Sequence, residues 1–207
     1  MSLTVDGIEA PAEGTLLDAV LAAGIGLPHL CTDDNLAAIG ACRTCLVEAD
    51  GRIVAACSAP ASQFHQVATR GAVVERIRRG VLELTAAMVS PGSLDRPGGP
   101  HAGELAAALA SHSARLDRYP HRTRTRSDAT NTFFSFHEEA CILCGRCVAA
   151  CQELQHIGAI GMAGRGGATR VTPGADATFA DSICTSCGSC VAACPTPALS
   201  PREAFAP

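Results

Sequence analysis

The sequence predicts an α+β chain in three parts: a small strand-and-helix domain over residues 1–70, a helical region over 71–130 and a cysteine-rich unit over 131–207. Three observations predict it. Residues 2–57 combine short strand patterns, one short helical pattern and four cysteines. The middle carries a helical period of apolar residues and no cysteine at all. Further on, Cys141-Ile142-Leu143-Cys144-Gly145-Arg146-Cys147-Val148-Ala149-Ala150-Cys151 repeats as Cys184-Thr185-Ser186-Cys187-Gly188-Ser189-Cys190-Val191-Ala192-Ala193-Cys194, with Pro195 next.

Residues 2–12 read as a hairpin, with Leu3, Val5 and Ile8 at strand-type apolar positions and Asp6-Gly7 as the turn. Thr15 caps a helix whose apolar face is Leu16, Leu17, Val20 and Leu21, and Gly24, Gly26 and Pro28 end it. Cys31, Cys42, Cys45 and Cys57 follow at C-x10-C-x2-C-x11-C spacing, with strands expected from Cys45 to Glu48 and from Arg52 to Ala56 around Asp50-Gly51. Gly40 suits either a turn or a close backbone approach to a bound group.

Val73, Val74, Ile77, Val81, Leu82 and Leu84 predict an amphipathic helix over Ala72–Val89, packed between domains. Residues 90–100, rich in Gly and Pro, mark a loop, and Gly103–Leu116 reads as an alanine-rich helix. Arg115, Arg118, Arg122, Arg124 and Arg126, with His121 among them, read first as a solvated face and second as a docking surface for an acidic partner. Phe133, Phe134 and Phe136 are expected to pack against the cysteine-rich unit, and the glycine-rich stretch from Ile157 to Arg165 to form a turn-rich connection. That stretch has neither GxGxxG nor a Walker lysine, so nucleotide binding is rejected there.

Composition narrows the function. Twelve cysteines in 207 residues is far above ordinary usage. No charged n-region with an apolar h-region opens the sequence, so a reducing, cytoplasmic setting is expected rather than a disulfide scaffold. No apolar run reaches the length of a membrane span, and no direct span is expected. A formal charge of −4, no Trp and one Tyr disfavour nucleic-acid binding.

Each C-terminal run has the C-x2-C-x2-C-x3-C spacing and resembles bacterial two-cluster ferredoxins, in which the fourth thiolate ligates the cluster of the other copy. Three cysteines in a tight loop hold one corner of an iron–sulfur cube. The x3 step, close to one helical turn, lets a short helix carry the fourth thiolate away. The resemblance implies one 4Fe-4S cluster on Cys141, Cys144, Cys147 and Cys194 and a second on Cys184, Cys187, Cys190 and Cys151. Zinc knuckles are the alternative, but they space two CxxC pairs apart without further cysteines in each run.

The N-terminal set resembles the β-grasp 2Fe-2S ferredoxin domain, in the wide-gap form of the large iron–sulfur subunit of complex I and its relatives. Gly40-Ala41-Cys42-Arg43-Thr44-Cys45 is similar to their loop, which implies a 2Fe-2S cluster on Cys31, Cys42, Cys45 and Cys57. Such relatives carry a further 4Fe-4S cluster on an H-x3-C-x2-C-x5-C site. Here His101 keeps the histidine place, but Leu105, Ala108 and Ala114 fill the cysteine places, so that cluster is expected to be absent.

The whole order resembles the iron–sulfur region of NAD-dependent formate dehydrogenase alpha subunits, the iron–sulfur subunit of NAD-reducing hydrogenase diaphorases and the N-terminus of the complex I large iron–sulfur subunit. The two complete runs and Phe133-Phe134-Ser135-Phe136 before the first favour the formate dehydrogenase type. The resemblance implies an electron-transfer subunit between a flavin subunit that handles NAD(P) and a catalytic Mo/W or NiFe subunit, with no catalytic residue of its own. An iron–sulfur redox sensor is a rival, but no output element such as a helix-turn-helix is evident. A self-contained cluster enzyme would need an open iron site, and 12 thiolates leave no cluster short of a ligand.

Overall fold

The computed structural model describes residues 2–174 and 178–202. Strands β1 (Ser2–Val5) and β2 (Ile8–Pro11) form the expected hairpin, followed by helix α1 (Leu16–Ala22), and β3 (Leu46–Ala49) and β4 (Arg52–Ala55) form a second hairpin. Both turns are built the same way: Asp6-Gly7 and Asp50-Gly51 all have positive φ, the conformation of a two-residue turn whose twist matches the flanking strands. Thr15 caps α1 as a capping box with Asp18.

Sequence reasoning missed the strand that joins the hairpins. β5 (Gln66–Ala68) runs parallel to β1 and antiparallel to β3, giving the order β2-β1-β5-β3-β4. It is too short to show a pattern of its own. The turn aspartates hold it from both sides: Asp6 accepts from the Thr69 amide at 2.8 Å, and Asp50 from the Gln66 amide at 2.9 Å. Leu3, Val5, Leu16, Val20, Val47, Phe64 and Val67 form the core under this sheet. Ile8 and Leu21, expected on the apolar faces, are exposed, because the core is complete without them.

Helix α2 (Ala72–Ala86) and helix α3 (Glu104–Ser111) pack together in the middle. The expected apolar face of α2 is corrected in part. Val74 and Leu82 are buried, but Val73 and Leu84 are about half exposed, while Arg78 and Glu83 are buried. The polar pair is inside because each finds partners there. Arg78 donates to the carbonyls of Leu46 and Thr69, and Glu83 meets Arg118 at 2.6 Å and the Arg115 amide at 3.2 Å. Helix α3 is shorter than expected, ending at His112, after which Ser113 turns left-handed.

Leu82, Ala86 and Val89 of the α2 region form a core with Leu105, Ala108 and Leu109 of α3. It is closed by Leu30 from the N-terminal domain and Ile142 from the first cysteine run. The helical region therefore joins the two ends, as expected. Leu105 and Ala108, in two of the vacated cysteine places, are part of this apolar core and Ala114 packs against it.

In the C-terminal unit β6 (Ser127–Asp128), β7 (Phe134–His137) and β10 (Leu199–Pro201) form one sheet in the order β10-β7-β6. Helix α4 (Arg146–Ala149), continued by a wider π turn over Ala150–Leu154, and helix α5 (Ser189–Ala193) carry the cysteine runs. The stretch expected as a turn-rich connection contains β8 (Ile160–Ala163), paired with β9 (Arg170–Pro173) in a hairpin. Phe134 and Phe136 are buried as expected, each edge-on to Phe179, at 5.0 and 6.4 Å between centroids. Phe133 is 45% exposed, which corrects its assignment to the core, and alternation along β7 explains it. Arg124, placed by the sequence on a solvated face, is buried between Glu138 and the Thr169 carbonyl. Gly99 lets the preceding loop lie against α5, since a Cβ there would fall 2.3 Å from the Val191 carbonyl oxygen.

Candidate functional site

None of the 12 cysteines forms a disulfide. The four N-terminal ones are brought together by the loop after α1 and by the β3–β4 hairpin. Cys31, Cys45 and Cys57 are buried and Cys42 is half-buried at the outer edge. Left-handed Gly40 and Arg43 bend the loop on either side of Cys42, and Gly40 serves this bend, since a Cβ there would touch only Ser58 at 3.9 Å. Thr44 fixes the loop from inside: its hydroxyl accepts from the Leu30 amide at 3.3 Å and lies 3.1 Å from Cys42 Sγ.

The four thiols are close enough to share protons. Hydrogen bonds from Cys42 and then Cys57 pull Cys31 down to about 2, and one from Cys57 pulls Cys45 down to about 7. Acting as donors to their neighbours pushes Cys42 and Cys57 well up. Such a patch binds metal by replacing its shared protons.

The C-terminal runs share one backbone shape. Leu143 and Ser186, two residues after the first cysteine of each run, are left-handed at φ 55° and 59°, and so are Gly145 and Gly188, after the second. The Leu143 amide points at Cys141 Sγ and the Ser186 amide at Cys184 Sγ, both at 3.4 Å. Cys151 lies in the π turn that continues α4 and accepts from the Ala159 amide at 3.2 Å, whereas Cys194 ends α5.

The two runs also lie against each other, through α4 and α5. After burial, which acts first, the charge of Cys194 adds to the forces that raise Cys141, Cys144 and Cys147. Burial followed by Cys184, Cys187, Cys194 and Cys151 pushes Cys190 up to about 12, and burial takes Cys141 to about 12 as well. Cys151, Cys184, Cys187 and Cys190 line one pocket, walled by Phe134, Ile157 and Ile160. The donor chemistry fits iron–sulfur clusters: soft thiolates in sets of four, with backbone N–H groups aimed at sulfur.

His101, at the degenerate one-histidine site, bonds Glu104 at 2.6 Å instead of facing a set of thiols. Sequence reasoning treated Arg146 only as part of the first run and did not single out Glu104. Arg146 is fully buried, meets Glu104 at 2.8 Å, and donates to the carbonyls of His29 at 2.8 Å and Ala193 at 3.4 Å. One side chain thus ties the N-terminal loop, α3 and α5 to the first run. An arginine in place of the second run's Ser189 was the available signal.

Residues 1–71 match the family model of a 2Fe-2S iron–sulfur cluster binding domain, and residues 140–198 that of a 4Fe-4S dicluster domain. A chain in the crystal structure of an NAD+-reducing [NiFe]-hydrogenase in the H2-reduced state is 31% identical. It aligns with a TM-score of 0.83 over 98% of this chain and 88% of that one. The chain belongs to this iron–sulfur protein family. As a member it carries one 2Fe-2S and two 4Fe-4S clusters, and its fold is the expected α+β arrangement.

The NADPH-Fe(3+) oxidoreductase subunit alpha of Geobacter sulfurreducens is 35% identical over 82% of this chain, which spans 20% of that protein. A putative formate dehydrogenase of Staphylococcus haemolyticus is 29% identical over 74% of this chain, spanning 16% of its own length. The chain thus spans a fifth or less of these two relatives. No helix among the described residues is long and apolar enough to cross a membrane.

Proposed function

We propose that this chain is an electron-transfer subunit, relaying single electrons between a flavin subunit that handles NAD(P) and a catalytic metal subunit. In this reading Cys31, Cys42, Cys45 and Cys57 hold the 2Fe-2S cluster. Cys141, Cys144, Cys147 and Cys194 hold the first 4Fe-4S cluster, and Cys184, Cys187, Cys190 and Cys151 the second. The observation that supports it most is that Cys151 of the first run lines one pocket with Cys184, Cys187 and Cys190, while Cys194 of the second run is buried in one core with Cys141 and Cys147. Residues 1–70, 71–130 and 131–207 act as the 2Fe-2S domain, the joining helical region and the two-cluster unit.

When bound, the clusters take up and release electrons without bond chemistry on the protein. The chain's part is to hold the sites close and dry. Leu36 packs on Ala149, Ala150 and Ala193, the Ala37 amide donates to Glu153 at 3.0 Å, and Ile39 lies over Gly145. These contacts seat the N-terminal loop on the first run, which favours transfer between the 2Fe-2S cluster and the first 4Fe-4S cluster.

The catalytic partner is read as a formate-oxidising Mo/W subunit, supported by the two complete runs and by the likeness to the staphylococcal putative formate dehydrogenase. A hydrogen-oxidising NiFe partner is the second reading, favoured by the end-to-end likeness to the hydrogenase chain. Anaerobic purification of the native complex tests both. About ten irons per chain, with 2Fe-2S and 4Fe-4S EPR signals on reduction, are expected. Copurification of a flavin protein with a molybdenum, tungsten or nickel protein selects the partner. A native chain isolated as a stable monomer without redox partners would overturn the relay.

A further inference from the structure

The two 4Fe-4S sites share a backbone but not an electrostatic setting. Two buried arginines stand beside the first. Arg146 precedes Cys147, where the second run has Ser189, and its Nε has no hydrogen-bond partner. Arg124 is 6% exposed, lies 3.8 Å from the Glu138 carboxylate, donates to the Thr169 carbonyl at 3.4 Å, and leaves Nε and Nη1 without hydrogen bonds. Arg146 lies between Cys144 and Cys147 in the run, and Arg124 stands against Glu138, whose carbonyl accepts from the Cys141 amide at 3.0 Å.

The facing carboxylates do not cancel this. Glu138 stands 3.8 Å from Arg124 with no hydrogen bond closing the pair, and Glu104, paired with Arg146, is about one third exposed and screened by water. Among the described residues flanking the second run, Asp181 and Arg202 are exposed, and the half-buried carboxylate of Asp128 accepts from the Phe179 amide at 2.8 Å. Hydrogen bonds to sulfur are similar at the two sites, except that Cys187 Sγ also donates to Ser189 Oγ at 3.6 Å. Cys141 and Cys184 each receive one amide, and the fourth thiols, Cys151 and Cys194, are met by the Ala159 amide and the Thr196 hydroxyl. Among the described residues, buried arginine charge stands beside the first site and not beside the second.

We propose that Arg124 and Arg146 make the cluster on Cys141, Cys144, Cys147 and Cys194 the more easily reduced of the pair, so that an electron entering the pair comes to rest there. The proposal depends on the ligand sets given under the proposed function. One-electron reduction adds a negative charge to a thiolate-bound cluster, and a fixed cation in a low-dielectric core stabilises that added charge without any proton moving. Water reaching exposed Cys187 acts in the opposite direction, favouring reduction of the second cluster, but only at one corner.

The test is an EPR-monitored redox titration of the full-length, cluster-loaded chain, with Cys187→Ser used to mark the second cluster's signal. The first cluster is expected to titrate at the higher potential. Arg124→Gln and Arg146→Gln should each lower its midpoint by about 59 mV or more, a tenfold change in its one-electron equilibrium, and leave the second unmoved. Arg146→Lys should keep most of the native value. A second cluster that titrates at or above the first in the native protein overturns the proposal, whatever the variants do. Equal shifts of both clusters in the glutamine variants, or none, also overturn it. Failure of the ligand reading is seen separately, as fewer than about six irons in the native chain.

Discussion

The N-terminal domain and the C-terminal unit both bind clusters, but they are built on opposite principles. Under the five-stranded sheet the core is made mostly of ordinary apolar side chains, such as Leu3, Val5, Leu16, Val20, Val47 and Val67, with Cys45 and Cys57 as its cysteines. In the C-terminal unit Cys141, Cys147, Cys151, Cys190 and Cys194 are themselves core residues, and the sheets around them have three and two strands. The first is a fold that accepts a cluster. The second is a pair of clusters with a fold wrapped round it, so metal binding and folding are one process there.

The largest effect that tests this contrast is iron removal. Anaerobic chelation should leave slow amide exchange in β1, β3 and β5 and abolish it in α4, α5 and β7, as read by hydrogen-exchange mass spectrometry. Equal loss in both regions would break the comparison. A narrower test is Cys194→Ala, which should lower the iron count by about four and remove one 4Fe-4S signal while the 2Fe-2S signal stays. Because the proposed ligand set gives Cys194 of the second run to the first cluster, the lost signal should be that of the cluster in which Cys141→Ser perturbs ligation.

The joint between the regions is the next target. Leu105→Ala should cost about 2–5 kcal/mol in the unfolding of the loaded protein, because Leu105 is fully buried among Leu30, Leu82 and Ile142, which come from all three parts. The smallest effect belongs to the metal-independent domain. Thr15→Ala removes the cap of α1 and should cost about 1 kcal/mol, seen as a lower thermal midpoint, with iron content unchanged.

Legibility in the sequence followed how local each constraint is. The turn pairs Asp6-Gly7 and Asp50-Gly51, the Thr15 cap and the cysteine spacings are short-range chemistry, and the structure has the corresponding turns and cap where they were expected. Burial over longer distances was less readable. A helical period marks a face but not its partner, so Val73 and Leu84 were put inside although the pairings of Arg78 and Glu83 turn those polar residues inward. Strand β5 is held by aspartates from two distant turns, and no window around residues 66–68 contains that information. Arg124 looked like one of a row of solvated arginines because its buried neighbours, Glu138 and Thr169, follow it at a distance in the sequence.

By itself the sequence determined the cluster types and the α+β class, since both depend on residue identity at fixed local spacing. Only the tertiary structure decided which charges stand beside which thiols. Arg146 and Ser189 occupy matching places in two runs of the same backbone shape, yet Arg146 is fully buried and tied to His29, Glu104 and Ala193, while Cys187 of the second run lies at the surface. Electrostatic energy depends on distance and on burial together, and both are set by segments far apart in the chain.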